Sequence, residues 1–91
     1  MIEVTLTKSA DPYEFDVRVR EGTTETRHRV TMAESTYRNL AGEKASPERV
    51  IEAAFEFLLE REPKESILSR FDVTVISRYF PSFERDIGGY L

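Results

Sequence analysis

Alternation with a period of two runs through the first third of the chain and is broken only by two short turns. Ile2, Val4 and Leu6 fall on one side, with Glu3, Thr5 and Thr7 on the other. Tyr13, Phe15, Val17 and Val19 alternate with Glu14, Asp16, Arg18 and Arg20. Thr26, His28, Val30 and Met32 alternate with Arg27, Arg29 and Thr31. Successive side chains of a strand point to opposite faces, so each segment reads as a strand with one apolar face. The connectors, Ser9-Ala10-Asp11-Pro12 and Glu21-Gly22-Thr23-Thr24, carry turn residues and are too short for a parallel crossover. Residues 1–32 are thereby constrained to an antiparallel three-stranded meander.

The same alternation selects a register. Setting Phe15 opposite Val30 also sets Val17 opposite His28 and Val19 opposite Thr26. On the other face it brings Asp16 to Arg29 and Arg20 to Glu25. Each such opposite-charge pair contributes roughly 0.2–1 kcal/mol. A slip of one residue would turn the apolar set to water.

The remainder is expected to be helical. Thr31-Met32-Ala33-Glu34 fits a capping box, with Thr31 as N-cap and Glu34 reaching back, ahead of a helix over 33–41 that Gly42 ends. Ser46 caps a second helix over 47–61, with Pro47 at its first position. Val50, Ile51, Ala54, Phe55, Phe57, Leu58 and Leu59 give that helix a wide apolar face, and Pro63 stops it. Ile67, Leu68 and Phe71 suit a short helix from Lys64 to Arg70, with Asp72 capping the next. Phe71, Val75, Tyr79, Phe83 and Ile87 recur every four residues, which favours helix although Val73–Ile76 is β-branched. Pro81 breaks this stretch, and Gly88-Gly89 reads as a frayed end over 88–91. The expected fold class is α+β: a single domain, 1–91, with the meander at 1–32 packed against helices over 33–87.

Composition removes several classes of function. The 91 residues contain no cysteine and one histidine. Disulfides, thiolate metal sites and multi-histidine metal sites are therefore out of reach. No apolar run approaches the roughly 20 residues of a membrane helix. The segment Met1-Ile2-Glu3-Val4 does not read as a signal peptide, so a cytoplasmic location is expected. GxSxG, GxxxxGK[ST] and GxGxxG motifs are missing, and the 17 acidic side chains form no pair in an evidently apolar setting. No catalytic residue, cofactor or metal is expected. His28 lies on the apolar side of its strand, where a lone histidine reads as a packed, hydrogen-bonded side chain rather than a general base.

Three surfaces remain as candidates for interaction. Arg18, Arg20, Arg27 and Arg29 share the outer face of the sheet, interleaved with Glu14, Asp16 and Glu25. Arginine clusters suit anions or acidic partners, but no aromatic side chain accompanies them for base stacking. Glu48, Glu52, Glu56 and Glu60 form an acidic row at i,i+4 spacing along the best-defined helix, suited to a basic partner. Tyr79, Phe80 and Phe83 belong to an aromatic-rich tail that closes the core or forms a subunit interface. These features make a non-catalytic binding or adaptor protein, acting through protein–protein contacts and capable of forming a homodimer, the leading expectation.

Two resemblances bear on this reading. The stretch Val30-Thr31-Met32, Ala33 to Ala41 and Ser46 to Arg61 resembles a ribbon–helix–helix unit. That resemblance implies a dimeric DNA-binding regulator, with Arg27, Arg29 and Thr31 as base-reading strand positions and Ser46 at the phosphate-contacting helix start. The net charge of −4 and the acidic row place nucleic acid second to a protein partner. The stretch Glu62-Pro63-Lys64-Glu65-Ser66-Ile67-Leu68-Ser69-Arg70-Phe71-Asp72, followed by Val75-Ile76-Ser77-Arg78-Tyr79-Phe80-Pro81, is similar to a group of short bacterial proteins of unassigned function. It implies a compact stand-alone protein and no activity.

Overall fold

The meander adopts the register that the alternation requires. A computed structural model describes residues 1–91. Strands β1 (Ile2–Lys8), β2 (Tyr13–Glu21) and β3 (Thr24–Met32) pair antiparallel in chain order. Phe15 faces Val30, Val17 faces His28, Asp16 faces Arg29 and Arg20 faces Glu25. Ile2 faces Val19 and Val4 faces Val17, with a register shift between Leu6 and Lys8. Gly22 takes a φ of 60° in the β2–β3 turn, a left-handed value that glycine adopts without strain.

A fourth strand, β4 (Arg70–Asp72), joins the free edge of β3 in parallel, giving the order β1-β2-β3-β4. The helix expected from Lys64 to Arg70 is therefore absent. Only a 3₁₀ turn, Lys64–Ser66, forms there. Three residues are too few to show a period of two. The strand depends instead on Phe71 entering the core beside Val30. Residues 33–69 supply the long crossover that parallel pairing demands.

Helix α1 (Glu34–Ala41) starts differently from the expected capping box. Thr31 stays in β3 and its hydroxyl donates to Asp72 Oδ1 at 2.6 Å. The cap comes from far away: the Glu34 N–H donates to Asp11 Oδ1 at 3.0 Å, while the Glu34 carboxylate turns forward to Arg38. Gly42 ends the helix with φ 59°. Helix α2 (Pro47–Leu59) is capped as expected, with Ser46 Oγ accepting from the Arg49 N–H, and it stops two residues short of Arg61.

The tail is a series of short turns rather than one interrupted helix. Asp72 accepts from the Thr74 N–H at 3.1 Å and caps a 3₁₀ turn, Val73–Val75. Helices α3 (Ile76–Tyr79) and α4 (Phe83–Asp86) follow, separated at Pro81, and a 3₁₀ turn spans Ile87–Tyr90. The end folds back onto α2. The Tyr90 ring packs edge-on against Phe57, its hydroxyl donates to Glu60, and Arg49 donates to its carbonyl.

One core results. The inward side chains of β2 and β3 meet Val50, Ile51, Ala54, Phe55 and Phe57 of α2, and Phe71, Val73, Phe83 and Ile87 close it from the tail. The helices cover one face of the sheet only. No helix is long and apolar enough to cross a membrane.

Candidate functional site

The tail builds a groove on the side of the molecule where β4 lies. α2 ends at Leu59, and beyond Pro63 the chain turns through Lys64–Ser66 into Ile67 and Leu68. His28 then fixes the path of the chain: its Nδ1–H donates to the Leu68 carbonyl at 2.7 Å. Since a carbonyl can only accept, Nδ1 carries a proton, and Nε2 is hydrogen-bonded to the Thr26 hydroxyl at 2.8 Å. Further along, the Thr31–Asp72 bond holds the end of β4, and the Asp72 cap starts the next turn.

The resulting cavity is about 160 Å³. Leu58, Ile67, Phe71 and Ile76 line it and are buried; Val75 and Phe80 are half-buried beside them. Leu68 and Tyr79 stand on its rim, 47% and 67% exposed, the two most exposed large apolar side chains apart from Met1. Glu62 and Ser66 complete the lining. Small-molecule sites run to roughly 300–1,000 Å³. A space near 150 Å³ holds about one aromatic ring. The groove is thus the size of about one aromatic or branched aliphatic side chain.

The expected interaction residues divide three ways. Tyr79 and Phe80 belong to this groove. Phe83 does not: it is in the core, edge-on to Phe57, because the break at Pro81 turns α4 inward. Leu68 and Val75 were not expected here. Leu68 lies outside the fourfold recurrence of the tail, and its adjacency to Ile67 is the only sequence signal it offers.

Arg18, Arg20, Arg27 and Arg29 do lie together on the uncovered face of the sheet, and β4 adds Arg70 beside Arg29. Acidic neighbours engage four of the five: Arg18 with Glu3, Arg20 and Arg27 with Glu25, and Arg29 with Asp16. Hydrogen bonds from Arg20 and then Arg27 hold the Glu25 carboxyl below its ordinary value of 4.5. β2 pairs along one edge of β3, and β4 occupies the other at Arg29–Thr31, so Arg29 and Thr31 do not lie on a free edge that could pair with a second copy as a ribbon–helix–helix arrangement requires.

The acidic row is also largely engaged within the chain. Arg49 reaches Glu52 at 2.6 Å and Glu56 at 3.1 Å, and Glu60 accepts from Tyr90. Glu56, then Glu52, raises the Arg49 pKa. Glu48 alone of the four forms no ion pair. No three His, Asp or Glu side chains converge in a metal-binding arrangement. His28 is 4% exposed, tilts against Phe55, and has both ring nitrogens bonded. Its observed work is to seat the segment that carries Leu68. Comparison of the chain with family models, curated proteins and solved structures gives no match.

Proposed function

We propose that this chain is a non-catalytic protein-binding module that takes one apolar anchor of a partner protein into the groove beside β4. The observation that carries the reading is that Leu68 and Tyr79 are both held exposed on the rim of one apolar cavity. An isolated exposed apolar side chain needs no explanation, but two over a cavity lined by buried neighbours resemble the anchor pockets at the centre of interfaces. Charge narrows the partner. Among the lining residues Glu62 is the one carboxylate, and no basic side chain accompanies it. The fitting ligand is a peptide segment with an aromatic or branched aliphatic side chain next to a lysine or arginine.

Selection of a random peptide library against the purified protein tests this. Enrichment of segments with an apolar anchor beside a basic residue, lost on Tyr79→Ala and weakened on Glu62→Gln, is the expected result. Peptides that bind Tyr79→Ala as well as the parent, or no enrichment at all, would overturn it. Salt-sensitive binding to random duplex DNA, lost on Arg27→Ala and Arg29→Ala, would point to the arginine face instead.

A further inference from the structure

At the opposite side of the sheet from the groove, β1 is an edge strand seven residues long. Its hydrogen-bonding directions follow from its pairing with β2. The Arg20 N–H donates to the Met1 carbonyl at 2.9 Å, and the Met1 nitrogen donates to the Arg20 carbonyl at 2.7 Å. In an antiparallel ladder such doubly bonded pairs alternate with unbonded ones. Glu3 and Thr5 therefore turn their backbone groups toward β2, and Ile2, Val4 and Leu6 turn theirs outward. The side chains of these same three residues are half-buried against the core, whereas their partners Val19, Val17 and Phe15 on β2 are fully buried.

Edge strands are commonly protected by proline, by an inward-pointing charge or by a covering element. Residues 2–7 contain no proline, and their inward positions are all aliphatic. The shift beyond Leu6 and the charge of Lys8 lie at the far end only. An exposed backbone ladder beside a half-covered apolar strip is the setting for strand addition.

We infer that β1 pairs antiparallel with β1 of a second copy of this chain, about a twofold axis at Val4, joining two four-stranded sheets into one of eight. Self-complementarity argues for this occupant. Centred on Val4, the pairing sets Val4 against Val4 and Ile2 against Leu6 on the core side, and Glu3 against Thr5 on the outer side. All three outward backbone pairs are then satisfied. The neighbouring in-phase registers are worse. Centring on Glu3 places two carboxylates face to face, which is destabilising. Centring on Thr5 sets Ile2 against Lys8. This inference is independent of the groove, which lies beside the other edge strand.

Light scattering after size exclusion, combined with amide hydrogen exchange, tests it on the intact chain. Between roughly 5 and 500 µM the mass should rise from 10.6 kDa toward twice that value. Over the same range, exchange at the Ile2, Val4 and Leu6 amides should slow by about tenfold or more, with Glu3 and Thr5 unchanged. Val4→Pro removes only an outward N–H and should stay folded by circular dichroism while remaining at 10.6 kDa. A mass of 10.6 kDa throughout the range would overturn the inference. So would a dimer in which those three amides exchange as fast as in dilute solution, or a folded Val4→Pro variant that dimerises like the parent.

Discussion

His28 shows how one side chain joins strand and site. Its ring lies 5.3 Å from that of Phe55, and its Nδ1–H holds a carbonyl 40 residues further along the chain. Replacement by alanine removes buried contact and leaves the Leu68 carbonyl without its partner. His28→Ala should therefore cost about 2–4 kcal/mol in denaturant unfolding and should weaken peptide binding at the groove. Asp11 works in the same way over 23 residues: Asp11→Ala removes the cap of α1 and should cost about 0.5–2 kcal/mol. Surface carboxylates give stability an acid-sensitive share. Arg20 and then Arg27 hold Glu25 below 4.5, and the Lys64 ammonium does the same for Glu65. A carboxylate whose folded pKa is depressed contributes stability above its unfolded value and loses it as pH falls through the folded one. The melting temperature should thus fall as the pH drops below about 4, with Glu25→Gln making that fall shallower.

Elements differ in how far local sequence determines them. The meander was legible because eight successive residues of β2, Tyr13 to Arg20, and seven of β3, Thr26 to Met32, repeat the same alternation, so a shifted register would expose the apolar side chains together. Helix α2 was legible for the same reason, with a cap, a proline and a continuous apolar face in agreement. β4 was not, since three residues carry no period and their conformation is set by Val30 and Phe71 meeting in the core. The start of α1 was misplaced because a local Thr–Glu pair imitates a cap that Asp11 supplies from another turn. Of the candidate site, Tyr79 and Phe80 were visible as excess aromatic surface, while Leu68 becomes a rim residue only once His28 fixes its backbone. The last turn makes a sharper case. Two glycines suggested fraying, yet Tyr90 behind them packs on Phe57 and bonds Glu60. Tyr90→Ala should therefore lower stability by about 1–3 kcal/mol and free Glu60, an effect measurable by thermal or denaturant melts.

Across the whole molecule, stability and the proposed binding draw on different aromatic residues. A domain of this size has a net stability of only about 5–15 kcal/mol. Phe55, Phe57 and Phe83 are at most 1% exposed and meet in one core that both the sheet and the tail help to enclose. Alanine at any of them should cost about 3–5 kcal/mol, a large share of the total. Tyr79 is 67% exposed, so Tyr79→Ala should change stability by less than about 0.5 kcal/mol while abolishing peptide capture. The groove and the proposed dimer strand also occupy opposite edges of the sheet, with β2 and β3 between them. Sites without shared contacts combine additively, to within roughly 0.3–0.5 kcal/mol. A chain carrying both Val4→Pro and Tyr79→Ala should consequently show the dimerisation of the first variant and the peptide affinity of the second, each unaltered by the other. A binding loss in Val4→Pro alone, measured with monovalent peptide in solution, would mean that the two edges communicate through the sheet. Retained binding by a monomeric Val4→Pro would assign recognition to the single chain and leave the paired strand to set only how many grooves one particle presents.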